Sequence, residues 1–268
     1  MFARAIQTTL AALVASASLA AHAQNSVFID ELTSPELQAR VRSGSTIALV
    51  PLGGTEQSGP HIVLGKHNVR AKVLAQKIAD RLGNALVAPV VAYVPEGDIT
   101  PPTAHMRFPG TLTVPAKTFE SVLEYAARSL RASGFMDIVF LGDHGGYQRN
   151  EESVAQKLNR EWAHAPVRVH ALVDYYKVAD TRYPAALKAH GFTDAEIGAH
   201  AGLADTSLAL AVDPRLVRSD QLPNAASREA AHGVQGDPRR ANADLGALGV
   251  ETIVRESVLS IQRAVARH

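Results

Sequence analysis

Continuous apolar runs alternate along the chain with stretches in which apolar residues recur at helical spacing. The runs at 46–52 and 136–141 predict buried strands, and further strands are expected at 85–93 and 167–176, with Pro89 indicating an edge or bulge. Helical spacing predicts helices at 69–82, 115–133, 150–162, 195–212 and 245–266. This order predicts an α/β fold with a mainly parallel sheet sandwiched by helices.

Polar residues with catalytic chemistry follow two of these strands. Glu56, His61 and His67 come after the first strand, and Asp143 and His144 come directly after the strand at 136–141. In open α/β sheets, ligands and catalytic groups collect beyond the carboxyl ends of the strands. We therefore expect a metal site assembled from strand ends.

Two segments lack regular periodicity. Residues 96–110 are rich in Gly, Pro and Thr and predict a long functional loop. Residues 219–244 are polar, and we expect a surface excursion or a subunit-contact arm there. Lys and Arg near the helices are expected on solvated faces.

The N-terminal residues have the pattern of a secretory signal peptide. Arg4 precedes an apolar run at 5–20, and residues 21–23 form an A-x-A cleavage site. We predict a signal peptide at 1–23, cleavage after Ala23, a single domain at 24–268 and a periplasmic or secreted protein. The alternative is a membrane anchor, but the run is shorter than the ~20 residues that span a bilayer.

Composition restricts the chemistry more than it restricts the fold. The formal net charge is +1, and no basic region indicates a nucleic-acid or anionic-membrane partner. The chain has no cysteine, so disulfides, thiolate ligands and cysteine nucleophiles are excluded. Any metal would be held by His, Asp and Glu. No Walker loop, G-x-G-x-x-G, G-x-S-x-G or H-E-x-x-H motif is present.

Five short motifs together resemble the creatininase (creatinine amidohydrolase) family. They occur in the family's order and lie at 54–67, 105–111, 142–147, 200–207 and 233–238. The resemblance implies a creatininase-like three-layer fold and a metal-dependent amidohydrolase. It also implies a small-molecule substrate and a homo-oligomer.

The family pattern implies a two-metal site, and its ligand positions fall on identifiable residues here. The first metal would be held by Glu56, His67 and His144. The second site is altered, because Ser58 stands where the family has His and Gly146 where some members have Glu. His67 stands at the position of a bridging Asp, and an imidazole does not bridge two metals as a carboxylate does.

These departures favour one metal ion over two. One Glu and two neutral His commonly hold catalytic Zn²⁺, with Mn²⁺ as the alternative. The competing hypothesis is that His61 or Asp205 supplies missing ligands and restores a second metal. Asp205 is included among the candidate ligands, although it could instead orient a His or lie on an outer helix face.

The remaining histidines have less definite roles. The resemblance assigns His200 to general acid–base catalysis, the alternative being a solvated helix-face residue. His105 could bind substrate or brace its loop, and His61 is expected to be structural.

The sequence thus predicts an exported hydrolase that cleaves a C–N bond of a small cyclic or linear amide with a metal-activated water. One alternative is a non-catalytic periplasmic protein that binds a small molecule or a metal. The other is a lactonase on the same fold.

Overall fold

A four-stranded parallel sheet forms the centre of the molecule. The computed structural model describes residues 26–227 and 233–266, so the predicted signal peptide lies outside the described residues. The strands are β1 (Ile47–Leu52), β2 (Ala85–Val87), β3 (Asp137–Gly142) and β4 (Arg168–Ala171). All neighbouring pairs are parallel, in the order β2-β1-β3-β4. The prediction of a parallel α/β fold is confirmed.

Ten helices surround this sheet in the described part of the chain. They are α1 (Ser34–Arg42), α2 (Lys66–Leu82), α3 (Ala116–Ala132), α4 (Gln148–Glu161), α5 (Val173–Asp180), α6 (Arg182–Ala189), α7 (Asp194–Ile197), α8 (Leu203–Val212), α9 (Leu222–Ser227) and α10 (Ala243–Val265). Helices α3 and α4 pack on one face of the sheet, and α2, α5, α6, α8 and α10 pack on the other.

The two central strands are apolar throughout because both of their faces are covered. Leu49 and Val139 belong to one core cluster, whereas Val50 and Phe140 belong to the cluster on the opposite face. All four side chains are buried. A strand covered on both faces gives a continuous apolar run instead of an alternating pattern, which is why these strands could be predicted.

Two of the predicted strands are wrong in extent. The strand expected at 85–93 ends at Val87, just before Pro89. The strand expected at 167–176 ends at Ala171, and α5 begins at Val173. The amide of Leu172 makes the last bond to β3, at Phe140 O (3.1 Å), and the Tyr175 amide then bonds back to Leu172.

The helix predicted at 195–212 is interrupted between α7 and α8. The amides of Ala199 and His200 bond to Gln235 O at 2.9 and 3.3 Å instead of continuing a helix. Gly198 has φ +67°, and a Cβ there would lie 1.8 Å from Gln235 O. The break therefore depends on contact with a segment far along the sequence.

The polar segment at 219–244 includes α9 and short 3-10 turns at Ser219–Gln221 and Pro238–Arg240. Residues 228–232 lie outside the described residues. Gln235 pairs with His200, so part of this segment supports the loop that carries His200. A role as a subunit-contact arm stays a prediction. No helix in the described ranges is both long enough and apolar enough to span a membrane.

Candidate metal centre

The site lies at the carboxyl ends of β1 and β3. These strands are neighbours, and Leu52 at the end of β1 pairs with Gly142 at the end of β3. The loops that follow therefore bring Glu56 and His144 together, with His144 Nε2 3.3 Å from Glu56 Oε2. Glu56 is fully buried. Both residues therefore lie beyond the carboxyl ends of strands, as the sequence predicted for them.

A third side chain, His105, reaches the same oxygen from the 96–110 segment. Its Nε2 lies 3.2 Å from Glu56 Oε2. The ligand atoms of Glu56, His105 and His144 all lie within 4.8 Å of one another. Zinc bonds to N and O are about 2.1 Å long, so two ligands of one ion lie at most about 4.2 Å apart. Both measured separations fall within this limit.

Glu56 Oε2 is buried and makes no hydrogen bond with any described residue. A buried carboxylate oxygen without a hydrogen-bond donor is costly unless a cation satisfies it. The Nε2 atoms of His105 and His144 lie just over 3 Å from this oxygen but are poorly aligned for hydrogen bonding to it. A cation bound by all three atoms would satisfy the oxygen. The residues present therefore fit a divalent metal ion.

The other oxygen of Glu56 faces cations that belong to the protein. Glu56 Oε1 lies 2.7 Å from His67 Nε2 and 3.3 Å from Lys66 Nζ. The second nitrogen of His67, Nδ1, lies 2.6 Å from Asp143 Oδ2. His67 is thus held between two carboxylates and lies outside the group of three converging ligand atoms. Its role as a metal ligand stays a prediction.

Asp205 is also engaged by protein cations. Its carboxylate contacts Lys66 Nζ, lies 2.7 Å from Arg70 Nη1 and accepts a hydrogen bond from the Ala201 amide at 3.0 Å. Although burial opposes ionisation, Lys66 and Arg70 hold the pKa of Asp205 well below its ordinary value. A metal bound by Asp205 would have to share its carboxylate with these cations, and the ligand role of Asp205 too stays a prediction.

Lys66 and Arg70 correct the expectation that Lys and Arg near helices lie on solvated faces. Both are buried at the start of α2, and the Lys66 side chain is only 1% exposed. Burial opposes ionisation of Glu56, but the charges of Lys66 and His67 outweigh it and lower the pKa of this carboxyl. Glu56 is therefore ionised even without a metal.

His200 faces the same centre from the break between α7 and α8. Its Nε2 lies 2.9 Å from the carbonyl oxygen of Gln57, which can only accept, so Nε2 carries a proton. Burial is the main cause that lowers the pKa of His200 to about 4, and the charge of Lys66 adds to it. The imidazole is therefore neutral, and its unprotonated Nδ1 lies 3.7 Å from Glu56 Oε1.

His61 lies apart from the converging group. Its Nε2 is 3.0 Å from Thr206 Oγ1, and the side chain is fully buried. Burial lowers the pKa of His61 to about 4. These contacts are those of a structural histidine. Ser58, at the position where the resemblance places a His, is fully buried as well.

Glu96 is a second buried carboxylate at the centre, and from the sequence it was expected only to begin a loop. It is 3% exposed, and its Oε2 lies 3.7 Å from His144 Nε2. Burial and the nearby Glu56 raise the pKa of Glu96 to about 7. A glutamate in a glycine-rich loop has no periodicity to indicate burial, so only its position at the start of the predicted functional loop could have indicated a role.

A cavity of about 260 Å³ opens over these groups. Charged and polar residues dominate its inner wall, including Glu56, Lys66, His105 and His144, and Tyr176 and Asp180 also line it. The volume suits a small polar molecule or the end of a longer one.

Comparisons with known proteins agree with this fold. The family described as Creatininase (creatinine amidohydrolase) matches residues 30–261. A creatinine amidohydrolase of Pseudomonas putida is 29% identical over 203 residues, which are 74% of this chain and 76% of that protein. A mycofactocin precursor peptide peptidase of Mycolicibacterium smegmatis is 32% identical over 196 residues, 71% of this chain and 66% of that protein. A manganese creatininase and a mutant creatininase of Zn-Zn type each align with 90% of this chain and 99% of theirs, at TM-score 0.72 and 27% identity.

Proposed function

The chain belongs to the creatininase family, and from this membership and the site geometry we propose that it is a metal-dependent hydrolase of a C–N bond in a small cyclic or linear amide. The observation that carries the proposal is the convergence of Glu56, His105 and His144 on one buried position. The two relatives described above are named as an amidohydrolase and a peptidase, and both names denote hydrolysis of C–N bonds.

Glu56, His105 and His144 would hold a divalent ion, for which we favour Zn²⁺ over Mn²⁺. When bound, such an ion polarises a carbonyl group and makes water a stronger acid, which supplies the nucleophile at neutral pH. Relative to the ligands predicted from the sequence, this proposal keeps Glu56 and His144, adds His105 and leaves out Asp205. His67 would orient Glu56 through its contact with Oε1.

A single ion is supported by the position of Lys66. Its ammonium group contacts both Glu56 Oε1 and Asp205 Oδ2, so a second cation bound by these two oxygens would lie close to the ammonium charge. Two cations cannot share these oxygens without strong repulsion. Lys66 therefore supports a site with one ion and a fixed ammonium charge next to it.

His200 is the proposed proton carrier. Because the Gln57 carbonyl oxygen holds the proton on Nε2, the Nδ1 atom is left to accept a proton and pass it to a leaving nitrogen. Its burial keeps the imidazole neutral and ready to accept. We further propose that the protein is exported, as its first 23 residues indicate, and that it forms a homo-oligomer.

Metal content per subunit tests the proposal most directly. Tag-free protein should contain about one equivalent of transition metal and hydrolyse a member of an amide panel, whereas His144→Ala should lose both. No metal in either protein would overturn the metal-dependent hydrolase. Metal without turnover of amides would favour a binding protein, which would instead show a ligand-dependent rise in Tm. Turnover of esters alone would favour a lactonase.

A further inference from the structure

Glu96 has the properties of an unassigned metal ligand. Both of its carboxylate oxygens are buried, and neither makes a hydrogen bond with a residue in the described ranges. The side chain points toward the metal centre, because Oε2 lies 3.7 Å from His144 Nε2. Burial of a carboxylate without a hydrogen-bond donor is costly, and a cation bound both by Glu96 and by the three converging ligand atoms would offset this cost.

Two glycines, Gly54 and Gly146, leave room for the Glu96 side chain and the backbone next to it. Gly54 has φ +152°, and a Cβ at that position would lie 2.6 Å from Glu96 Oε1. A Cβ at Gly146 would lie 2.9 Å from His144 Cε1 and 3.6 Å from Pro95 O. Gly146 is the position where the resemblance places a Glu in some relatives. In this chain the Pro95–Glu96 backbone packs against the space next to Gly146, which has no side chain.

The backbone around Glu96 is fixed by several hydrogen bonds. The Glu96 amide donates to Thr113 Oγ1 at 3.0 Å, and this hydroxyl donates to Gly97 O at 3.1 Å. The Val114 amide bonds to Val94 O at 3.3 Å. Glu96 is therefore presented to the centre by a fixed backbone, and only its side-chain torsions remain to be adjusted.

We propose that Glu96 binds the same ion as Glu56, His105 and His144, as a second carboxylate ligand supplied from the loop that also carries His105. This inference rests on the metal site of the proposed function. Glu96 Oε2 lies 3.7 Å from His144 Nε2, and two ligand atoms of one zinc ion can lie up to about 4.2 Å apart. Glu96 lies outside the group of three converging residues, so binding the ion requires its side chain to rotate toward them.

The chain offers a matched control in Glu151. It is 1% exposed, and both of its oxygens are buried without a hydrogen bond to a described residue. Neither Glu96 nor Glu151 lines the cavity over the metal centre, but Glu96 lies 3.7 Å from His144, whereas no ion pair within the described residues joins Glu151 to Glu56, His105 or His144. Glu151→Gln therefore makes the same chemical change in a buried carboxyl that has no role at the ion.

The test measures Zn²⁺ affinity by competition with a chromogenic chelator for wild type, Glu96→Gln and Glu151→Gln. Loss of an outer partner of a ligand typically lowers affinity about 10–100-fold, so loss of a ligand should exceed about 100-fold. We expect such a loss in Glu96→Gln and a change below about twofold in Glu151→Gln. Wild-type affinity in Glu96→Gln, with or without lost turnover, would overturn the inference.

A crystal structure of the zinc-loaded wild type decides the question even if Glu96→Gln does not fold. An oxygen of Glu96 within about 2.2 Å of the ion is the expected result. An ion bound by Glu56 and His144 with Glu96 beyond about 3 Å would overturn the inference and leave the proposed function standing. Wild-type protein that binds no zinc would overturn the proposed function itself.

Discussion

The two oxygens of Glu56 face opposite kinds of surroundings. On the lysine side, Oε1 meets Lys66 and His67, and its charge is balanced by groups that the chain supplies. On the open side, Oε2 meets His105 and His144 near 3.2 Å and makes no hydrogen bond with a described residue. Protein cations thus balance the charge at one oxygen of Glu56, whereas the other oxygen has no hydrogen-bond donor among the described residues.

Under the proposed single-ion site, this difference explains how one metal site could be kept without a second one beside it. An ammonium group supplies a permanent positive charge, but it cannot act as a Lewis acid toward a substrate. In the proposed site, Lys66 would therefore replace only the electrostatic contribution of a second ion, and the Lewis-acid chemistry would depend on the open side. The two sides should respond differently to mutation.

The largest expected effect is on the lysine side. Lys66→Met should lower the free energy of unfolding by about 3–5 kcal/mol, because it leaves the buried charges of Glu56 and Asp205 with fewer partners. Chemical denaturation of both proteins with a chelator present measures this loss. Lys157→Met is the control, since the ion pair of Lys157 with Glu124 is largely exposed and should contribute less than about 1 kcal/mol. Equal losses in the two variants would contradict the assignment.

The second expected effect separates the two sides by their histidines. His67→Gln should weaken Zn²⁺ binding by about 10–100-fold, because His67 orients Glu56 without binding the ion. His105→Gln should weaken it further, because His105 faces the open side. Isothermal titration with Zn²⁺ gives both values. The reverse order would favour the ligand set predicted from the sequence, in which His67 binds the metal.

Sequence patterns could predict the parts of this centre that depend on local periodicity. The apolar runs before Glu56 and His144 predicted two strands and placed both residues at strand ends. The approach of His105 depends on the path of an aperiodic loop, and the burial of Lys66 runs against the usual solvation of lysine. The break that carries His200 depends on Gln235, 35 positions later in the chain. Long-range contacts of this kind leave no local pattern.

The smallest expected effect concerns the buried carboxyl group of Glu151, which forms no ion pair with any residue that the structure describes. Burial raises the pKa of Glu151 well above its ordinary value, and the charge of the neighbouring Glu152 adds to this shift. Between the unfolded pKa, near 4.3, and the raised folded pKa, the folded protein binds more protons than the unfolded chain. The contribution of Glu151 to stability is therefore lost progressively as the pH rises through this range.

Glu151→Gln removes this proton uptake, so the variant should gain stability relative to wild type as the pH rises. The gain should be about 1 kcal/mol between pH 5.5 and 6.5, since one pH unit corresponds to at most about 1.4 kcal/mol per proton. Urea denaturation at both pH values, with a chelator in all samples, measures it. Glu152→Gln, which changes an exposed neighbour, should show no such gain. A difference between Glu151→Gln and wild type that does not vary with pH would mean that Glu151 is ionised in the folded protein and has a cationic partner, as Glu56 does on its lysine side.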